Sequence, residues 1–406
     1  MSSARLEARP GSWPAIMMIA GAGILAACQV GKVPVAAHML QHDMGLTMQM
    51  VSWLVSAFAV VGALGGIVTG FAADRIGYRR TAAAGLWVLA AGSLAGAFAQ
   101  GAAGLIASRI LEGLGFLGVV VAAPTLIGRT IPAHIQDRAM AVWSTFMPAG
   151  LTIVMLAAPL LALLSWRGFW VLQAVLLAGY AVWLHKSIDE PTQHTSRRPV
   201  LRDIRDTLAA PGPWLLAGLF ATFSATFFAL FGLLPTYLTD HLRMSAQAAS
   251  MLSAIAVAVS ALGNIAGGQL RNWGLRPGVL LMLGFVIMAL SAAGIFQVAN
   301  CAAAVLVLCV LFAFASGLVP VVILASAAHH APRPALLGAT MGLIMQGNNI
   351  GLLIGPGAAG VAVAAFDWPA VAILIGAFAL VALCLIIVFG RLSSAGHQNL
   401  REINLR

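Results

Sequence analysis

The sequence predicts an all-α membrane protein with twelve transmembrane helices in two six-helix bundles. Hydrophobic residues make up 61% of the 406 residues and charged residues only 8%, too few to cover a soluble protein of this length. The apolar residues form long continuous runs, each close to the ~20 residues that a bilayer-spanning helix needs. A membrane β-barrel would instead show short segments of alternating hydrophobicity. A segment of the first half also recurs in the second, which favours two related halves.

The apolar runs can be placed in chain order because charged or turn-forming residues separate them. They cover residues 14–38, 48–72, 81–99, 102–127, 139–163, 168–185, 213–237, 246–270, 278–297, 301–326, 337–362 and 369–390. The first run follows a polar stretch that contains Arg5 and Arg9. Because this run is long enough to span the bilayer, we expect it to remain as the first helix rather than to be cleaved as a signal peptide.

The polar stretch of residues 185–212 is long enough to join two domains. We therefore expect an N-terminal six-helix bundle in residues 1–184, a cytoplasmic linker in 185–212 and a C-terminal six-helix bundle in 213–406. Leu201, Ile204 and Leu208 have helical spacing among charged residues, which is typical of a short amphipathic helix at a membrane surface. A plain tether is the alternative interpretation of the linker.

The net charge of +10 indicates an orientation in the membrane rather than binding to nucleic acid. Most of the 22 basic residues fall on one side of the predicted membrane, whereas Arg167 and Arg243 fall in loops on the other side. An excess of lysine and arginine marks the cytoplasmic side. We therefore expect a multi-pass protein of the cell inner membrane, with both termini in the cytoplasm and basic residues near anionic lipid head groups.

A short charged loop, GFAADRIGYRR, lies between the second and third runs. Its glycines, acid and arginines are Gly70, Asp74, Arg75, Gly77, Arg79 and Arg80. Gly77 suits a backbone turn that other residues resist, and Asp74 can accept charge-assisted hydrogen bonds from arginines and helix N-termini. A weaker copy, GGQLRNWGLRP, lies 197 positions later with Arg271 in place of the acid, and the same shift relates Pro159 to Pro356.

This loop resembles the signature loop of the major facilitator superfamily, G-x-x-x-D-R-x-G-x-R-R, and lies between the same two helices. A second family motif is similar to RILEGLG in the fourth run, which contains Arg109, Glu112, Gly113 and Gly115. The glycine-proline motif of antiporters is poor in the fifth run, where Ala158 precedes Pro159, and a better copy, NNIGLLIGPGAAG, lies in the eleventh. This departure weighs against a typical drug antiporter.

The resemblance implies two pseudo-symmetric six-helix bundles around a central cavity, and transport by alternating access. It also implies that the charged loop latches the two halves together when the transporter faces outward. The gating residues would then be Gly70, Asp74, Arg75, Gly77, Arg79 and Arg80. The alternative interpretation is a topology anchor without a gating role.

Three charged residues lie inside the predicted spans, namely Lys32, Arg109 and Glu112. At a rise of about 1.5 Å per residue, these three side chains and Gln29 fall in one layer, slightly outside the midplane. A charge at this depth is costly, so it normally faces a partner or a watery cavity. We expect Lys32, Arg109 and Gln29 to line the cavity that the family surrounds with its first, fourth, seventh and tenth helices. A purely structural ion pair between Arg109 and Glu112 is the alternative.

Other polar and aromatic residues are candidates for the wall of the cavity. They are Gln346, Asn348 and Asn349 in the eleventh run and Phe227 in the seventh. Two adjacent asparagines cannot both face lipid without cost, although helix packing explains them as readily as substrate binding. An aromatic stripe likewise serves packing more often than binding.

The motifs favour a secondary transporter over an enzyme, with no cofactor and no metal. The chain has no nucleotide-binding loop, and its four cysteines lack metal-ligand spacing. We expect a monomer that moves a small organic molecule, of anionic or amphipathic character, by proton coupling through Glu112 and Arg109. The net positive charge of the buried layer favours an anion. Efflux of drugs or of secreted metabolites such as siderophores is the alternative, and a membrane receptor or channel is the alternative of another class.

Overall fold

A computed structural model describes residues 12–157, 159–187, 200–297 and 301–404, which are almost entirely helical. The first half contains α1 (Trp13–Met44), α2 (Met48–Ile76), α3 (Tyr78–Ala97), α4 (Ala102–Thr130), α5 (Ala133–Ser144), α6 (Phe146–Leu156) and α7 (Pro159–Ser187). After the linker helix α8 (Val200–Ala209), the second half contains α9 (Pro211–Phe231), α10 (Leu234–Asp240), α11 (Ala246–Asn272), α12 (Pro277–Gln297), α13 (Ala302–His330), α14 (Leu337–Phe366) and α15 (Pro369–Asn404).

Eleven spans of the described chain are long and apolar enough to cross a membrane. Helices α5 and α6 together form one of them, His134–Leu156, and α9 continues into α10 in another, Pro211–Thr239. Helix α3 corresponds to the remaining predicted run, but it begins with Tyr78, Arg79 and Arg80 and is rich in alanine and glycine. It has the 20 residues that a crossing needs, so the helices are consistent with the predicted twelve.

The boundaries of the fifth and sixth helices differ from the predicted runs 139–163 and 168–185. The fifth span ends at Leu156 and α7 already begins at Pro159, with non-helical backbone at Ser165 (φ 58°, ψ 168°). The apolar composition continues across this junction, so hydropathy alone does not locate it. Pro159 has no N–H to donate and is well suited to the first turn of a helix. Ala158, part of the poor antiporter motif, lies outside the described residues.

The linker contains the predicted helix, and its buried face includes polar residues. Leu208 is 42% exposed, Ile204 packs against the apolar cluster of Phe71, Leu336 and Ala339, and Asp203 and Thr207 are buried. An ion pair accounts for the buried acid: Arg333 donates to Asp203 (2.8 Å) and to Asp206 (2.8 Å), which holds α8 against the start of α14. The guanidinium of Arg333 gains these hydrogen bonds, which raises its pKa. Residues 188–199 of the predicted linker, and Arg5 and Arg9, lie outside the described chain.

The two halves meet along α2 and α14 and, on the other side, along α5, α6 and α11. Gly66 and Gly70 of α2 face Gly342 and Gly338 of α14 so closely that a Cβ on Gly66, Gly70 or Gly342 would strike the opposite backbone, and one on Gly62 would strike the Asn349 side chain of α14. Such small residues let two membrane helices approach at backbone distance. This glycine seam, defined by these five residues, fixes the position of one half against the other.

Candidate functional site: a central cavity and a buried ion cluster

A narrow cavity of about 70 Å³ lies between the two halves. Helices α1, α2, α4, α5 and α6 line it from the first half, and α9, α11, α13 and α14 line it from the second. Pockets for drug-sized ligands usually measure roughly 300–1,000 Å³. A molecule of that size would therefore fit only after the halves move apart.

The wall of the cavity is aromatic and uncharged. Its phenylalanines are Phe58, Phe116, Phe146, Phe220, Phe223, Phe227 and Phe228. Its polar residues are Ser144, Ser260, Asn264, Ser316, Asn348 and Asn349. Among the described residues that line it there is no Lys, Arg, Asp or Glu. Phe227, Asn348 and Asn349, which the sequence analysis proposed for the wall, are among the residues that line this cavity.

The phenylalanines of the second half form a continuous ladder on α9. Phe227 stacks on Phe223 with ring centroids 5.9 Å apart and meets Phe228 edge-on at 5.1 Å. Across the cavity, Phe58 and Phe116 lie 5.1 Å apart. Aromatic pairs in these arrangements are stabilising beyond the apolar area that they bury. The ladder gives the cavity a rigid, polarisable wall.

The three predicted membrane charges form one cluster. Lys32 and Arg109 each donate to a different oxygen of Glu112, and all three side chains are fully buried. Lys32 Nζ also donates to Ser93 Oγ (2.9 Å), and Arg109 Nη1 to the main-chain oxygen of Gln29 (2.9 Å). The prediction that these residues share one layer agrees with the contacts. Two cations and one acid leave a formal net charge of +1.

The ion cluster does not lie on the cavity wall, which differs from the expectation for Lys32, Arg109 and Gln29. Lys32 Nζ lies 4.2 Å from the ring centroid of Trp170 in α7, inside the first half. The rotation of α4 about its axis explains the difference, because it turns Glu112 towards α3. Gly92 of α3 leaves room for this side chain, since a Cβ on Gly92 would lie 2.7 Å from Glu112 Cγ. Helical spacing predicts which residues share a level but not which neighbour a helix turns them towards.

Phe58 separates the ion cluster from the cavity. The guanidinium carbon of Arg109 lies 4.4 Å from the centroid of the Phe58 ring, and the same ring lines the cavity. Arg109 Nε donates to the main-chain oxygen of Leu54 (3.2 Å), one turn earlier in α2. Arg109 therefore holds α2 at two successive turns, and α2 continues into the glycine seam. The sequence analysis missed Phe58, since an apolar residue in an apolar run carries no local signal.

Gln346 contacts the first half rather than the cavity. Its Oε1 accepts from the main-chain N–H of Ile67 (3.4 Å), and it packs against Gly66. The predicted cavity residue is therefore part of the contact between α2 and α14. Its neighbour Asn349 does reach the cavity, because it lies nearly one turn further along α14.

The charged loop joins the two halves through Asp74. Its carboxylate accepts from the main-chain N–H groups of Gly338 (2.9 Å) and Ala339 (2.8 Å), at the start of α14, and from the Tyr78 hydroxyl. A carboxylate at a helix N-terminus is favourable because of the unpaired N–H groups and the helix dipole. Gly77 adopts φ 108°, a conformation that favours glycine.

The arginines of the loop differ in their surroundings. Arg79 donates to the main-chain oxygen of His185 (3.2 Å), which ties α3 to the end of α7. Arg75 and Arg80 are exposed. Two contacts that the sequence analysis missed also join the halves at this end. Arg129 donates to the Pro334 oxygen, and Arg271 pairs with Asp137 at 2.7 Å. We call the end of the molecule with these contacts and Asp74 the latch end.

The second copy of the loop completes the pseudo-symmetry. Gly274 adopts φ 87°, as Gly77 adopts φ 108° in the first copy. Arg271, at the position that corresponds to Asp74, reaches across to an acid of the first half, whereas Asp74 reaches across to backbone donors of the second. At this one position, both copies of the loop therefore contact the opposite half, with side chains of opposite charge.

Known proteins resemble the chain over most of its length. The family profile described as Major Facilitator Superfamily matches residues 18–345 and 273–404. The hexuronate transporter of Bacillus subtilis (strain 168) is 25% identical over 64% of this chain and 64% of its own. The arabinose-proton symporter of Escherichia coli (strain K12) is 26% identical over 46% of this chain and 41% of its own. The lincomycin resistance protein of Streptomyces lincolnensis is 30% identical over 46% of this chain and 39% of its own.

These matches span less than two thirds of the relatives' own lengths. Two solved structures share the fold over nearly the whole chain. The human organic anion transporter MFSD10 (TETRAN) has a TM-score of 0.75 at 15% identity, covering 92% of this chain and 99% of that one. The proton:xylose symporter XylE has a TM-score of 0.78 at 12% identity, covering 92% of this chain and 95% of that one. The chain therefore belongs to the major facilitator superfamily, and it is a multi-span membrane protein.

Proposed function

We propose that this protein is a proton-coupled secondary transporter that moves an amphipathic, aromatic organic molecule across the cell inner membrane by alternating access. The observation that carries the proposal is the cavity between the halves, with seven phenylalanines and no charged residue among the described residues of its wall. Ligand pockets of this kind take most of their affinity from apolar contact and their orientation from a few polar groups.

The uncharged wall favours the amphipathic substrate over the anionic one. The two cations that suggested an anion, Lys32 and Arg109, are both paired with Glu112 behind Phe58. An anion in the cavity would lose its hydration without gaining a partner of opposite charge, which is costly. The lincomycin resistance protein and the tetracenomycin C resistance and export protein of Streptomyces glaucescens support export as the direction. The symporters among the relatives support uptake.

The contacts at the latch end support alternating access. Hydrogen bonds from α14 to Asp74, the Arg271–Asp137 pair and the glycine seam close the two halves against each other at this end. In the proposed orientation, this end and both termini face the cytoplasm. One chain contains both halves and the cavity between them, so the proposed working unit is a monomer.

The ion cluster supports coupling to protons. Glu112 is the carboxylate that we propose carries the proton, and the movement of its two cationic partners, Lys32 and Arg109, would couple proton binding to the change of conformation. Helix α2 provides the connection, because it carries Phe58 and the Leu54 oxygen that Arg109 holds. A substrate that displaces Phe58 would change the position of Arg109 relative to Glu112.

Transport in proteoliposomes tests the proposal. A thermal-shift screen of the purified protein against aromatic amphiphiles and organic anions first identifies a substrate, and counterflow then separates a carrier from a channel, since a pore cannot accelerate exchange. We expect Glu112→Gln to abolish transport driven by a pH gradient while exchange of substrate for substrate continues. A variant that still concentrates substrate with a proton gradient would make Glu112 a structural partner only.

A further inference from the structure

The serines in the cavity wall already use their hydroxyl hydrogens. Each donates to a main-chain oxygen of its own helix: Ser144 to Met140 (2.8 Å), Ser260 to Val257 (2.7 Å) and Ser316 to Ala313 (2.7 Å). A hydroxyl that donates in this way still has lone pairs with which to accept. The serines therefore present acceptors to the cavity.

Asn264 has an acceptor that no described residue satisfies. Its Nδ2 donates to the main-chain oxygen of Ser260 (3.0 Å), which fixes the orientation of the amide, and its Oδ1 has no hydrogen-bond partner within the described part of the chain. The residue is 98% buried and lines the cavity. Leaving a buried acceptor of this kind unsatisfied lowers the stability of the protein.

The packing of α11 against α13 holds Asn264 in place. A Cβ on Gly317 of α13 would lie 2.5 Å from the main-chain nitrogen of Asn264, and a Cβ on Gly263 would strike the Phe314 oxygen. The two helices therefore meet at backbone distance beside Asn264. The side chain is fixed at its base as well as through its amide, so its free oxygen is preorganised.

Asn349 of α14, which also lines the cavity, makes the same type of hydrogen bond to its own helix. Its Nδ2 donates to the main-chain oxygen of Met345 (2.8 Å), one turn earlier in α14. With the serines, the two asparagines give the cavity acceptors on both α11 and α14. The phenylalanines between them favour an aromatic ring, including one that carries a delocalised positive charge.

We propose that Asn264 is a specificity-determining residue that accepts a hydrogen bond from an N–H or O–H group of the substrate. The cavity then selects aromatic amphiphiles with hydrogen-bond donors, such as aromatic amines, over matched molecules that lack them. This inference rests on the proposed function, because it requires that the substrate bind in this cavity. A donor on the substrate would satisfy the Asn264 oxygen, and its absence would leave that oxygen unpaired in the complex.

Two dyes with the same ring system test the inference. Proflavine has two exocyclic NH₂ groups on an acridine, and in acridine orange these groups are dimethylated. Fluorescence anisotropy with the purified full-length protein gives both dissociation constants, with empty detergent micelles as the blank. We expect wild type to bind proflavine about tenfold or more tighter than acridine orange.

Substitutions of Asn264 decide whether this residue sets the preference. Asn264→Leu should bring the ratio of the two affinities close to one, because it weakens the binding of proflavine alone. Asn264→Asp keeps an acceptor and should keep the wild-type ratio. Asn264→Ala repeats the test with a smaller side chain in case the leucine disturbs the cavity. Asn272→Leu, two turns along the same helix and outside the cavity wall, is the matched control and should keep the ratio.

The outcomes separate the inference from the proposed function. A ratio that survives in both Asn264→Leu and Asn264→Ala, or equal binding of the two dyes by wild type, would overturn the role of Asn264 and leave the aromatic substrate class standing. Wild type that binds neither dye but binds an organic anion such as benzoate would overturn the proposed substrate class and this inference with it.

Discussion

The first and fourth helices of the two halves differ in one chemical respect. In the first half, α1 and α4 place Lys32, Arg109 and Glu112 in a buried cluster. In the second half, the corresponding helices α9 and α13 contain no Asp, Glu, Lys or Arg. Both pairs nevertheless belong to closely packed bundles. A bundle of this architecture can therefore pack without an ion cluster, which supports the proposed coupling role of the charges.

The second half contributes most of the cavity's aromatic residues, whereas the first half contains the ion cluster. Four of the seven phenylalanines of the cavity come from α9, and Asn264 and Asn349 also belong to the second half. Phe58 of the first half lies where the two chemistries meet. The comparison thus separates an ionic half from an aromatic half, and the following variants test how far that separation holds.

The largest effect is expected when the ion cluster loses only its acid. Glu112→Ala leaves two cations buried without a partner, so we expect the free energy of unfolding to fall by about 3–5 kcal/mol. Replacing the whole cluster in the variant Lys32→Met, Arg109→Met, Glu112→Leu makes the first half resemble the second. This variant should keep nearly the stability of wild type but lose transport driven by a pH gradient. Thermal unfolding in detergent and proteoliposome transport measure the two effects.

The same two variants can also contradict the comparison between the two halves. If the triple variant is as unstable as Glu112→Ala, the first half depends on its charges for folding, and the two halves are not equivalent scaffolds. If the triple variant retains pH-driven transport, the cluster has no coupling role.

The second largest effect is expected at the glycine seam. A Cβ on Gly66 would meet the Gly342 oxygen and the Gln346 side chain, so Gly66→Leu should force α2 and α14 apart, at a cost of about 1–3 kcal/mol to the closed arrangement. Hydrogen exchange of the amides in residues 337–345 should become faster, and transport should fall. Gly357→Leu, in α14 with open space around its Cβ, is the matched control and should leave both unchanged.

These two regions show what the sequence can predict about this molecule. The spacing of Arg109 and Glu112 and the depth of Lys32 were enough to place the three side chains in one layer. Their burial away from the cavity depends on Gly92, which lies on a different helix and is one of 43 glycines in the chain. The charged loop was predictable because its residues act locally. Its partners on α14 are main-chain N–H groups, which no residue type reveals.

A smaller effect is expected for Asp74. Asp74→Asn keeps an acceptor oxygen but removes the charge that strengthens the hydrogen bonds from Gly338 and Ala339, so the closed latch end should weaken by about 0.5–1.5 kcal/mol. Transport should fall while expression and substrate binding remain near wild type, because the change alters the balance of conformations. Tyr78→Phe removes one donor to the same carboxylate and should shift the balance of conformations to a smaller degree. Loss of substrate binding with normal alternation would contradict a gating role.

The smallest effect is expected for the partly exposed pair of Arg271 and Asp137. Their side chains are 12% and 27% exposed, so Arg271→Gln should change the closed state by about 1 kcal/mol or less, and less at high salt. Hydrogen exchange at the latch end measures the change. The double variant Arg271→Asp, Asp137→Arg should recover the wild-type exchange rate. Failure of this swap would show that the two side chains act through other neighbours.

The backbone partners of Asp74 also have a genetic consequence. Asp74 binds main-chain N–H groups of Gly338 and Ala339, which only a substitution to proline would remove. Changing a side chain at these two positions therefore does not restore the contact that Asp74→Asn weakens. Second-site suppressors of Asp74→Asn should therefore map to positions that destabilise the opposite conformation, far from the loop. Suppressors of Arg271 variants can instead arise at Asp137 itself. The two copies of one ancestral loop would thus leave different patterns of revertants in a selection for restored transport.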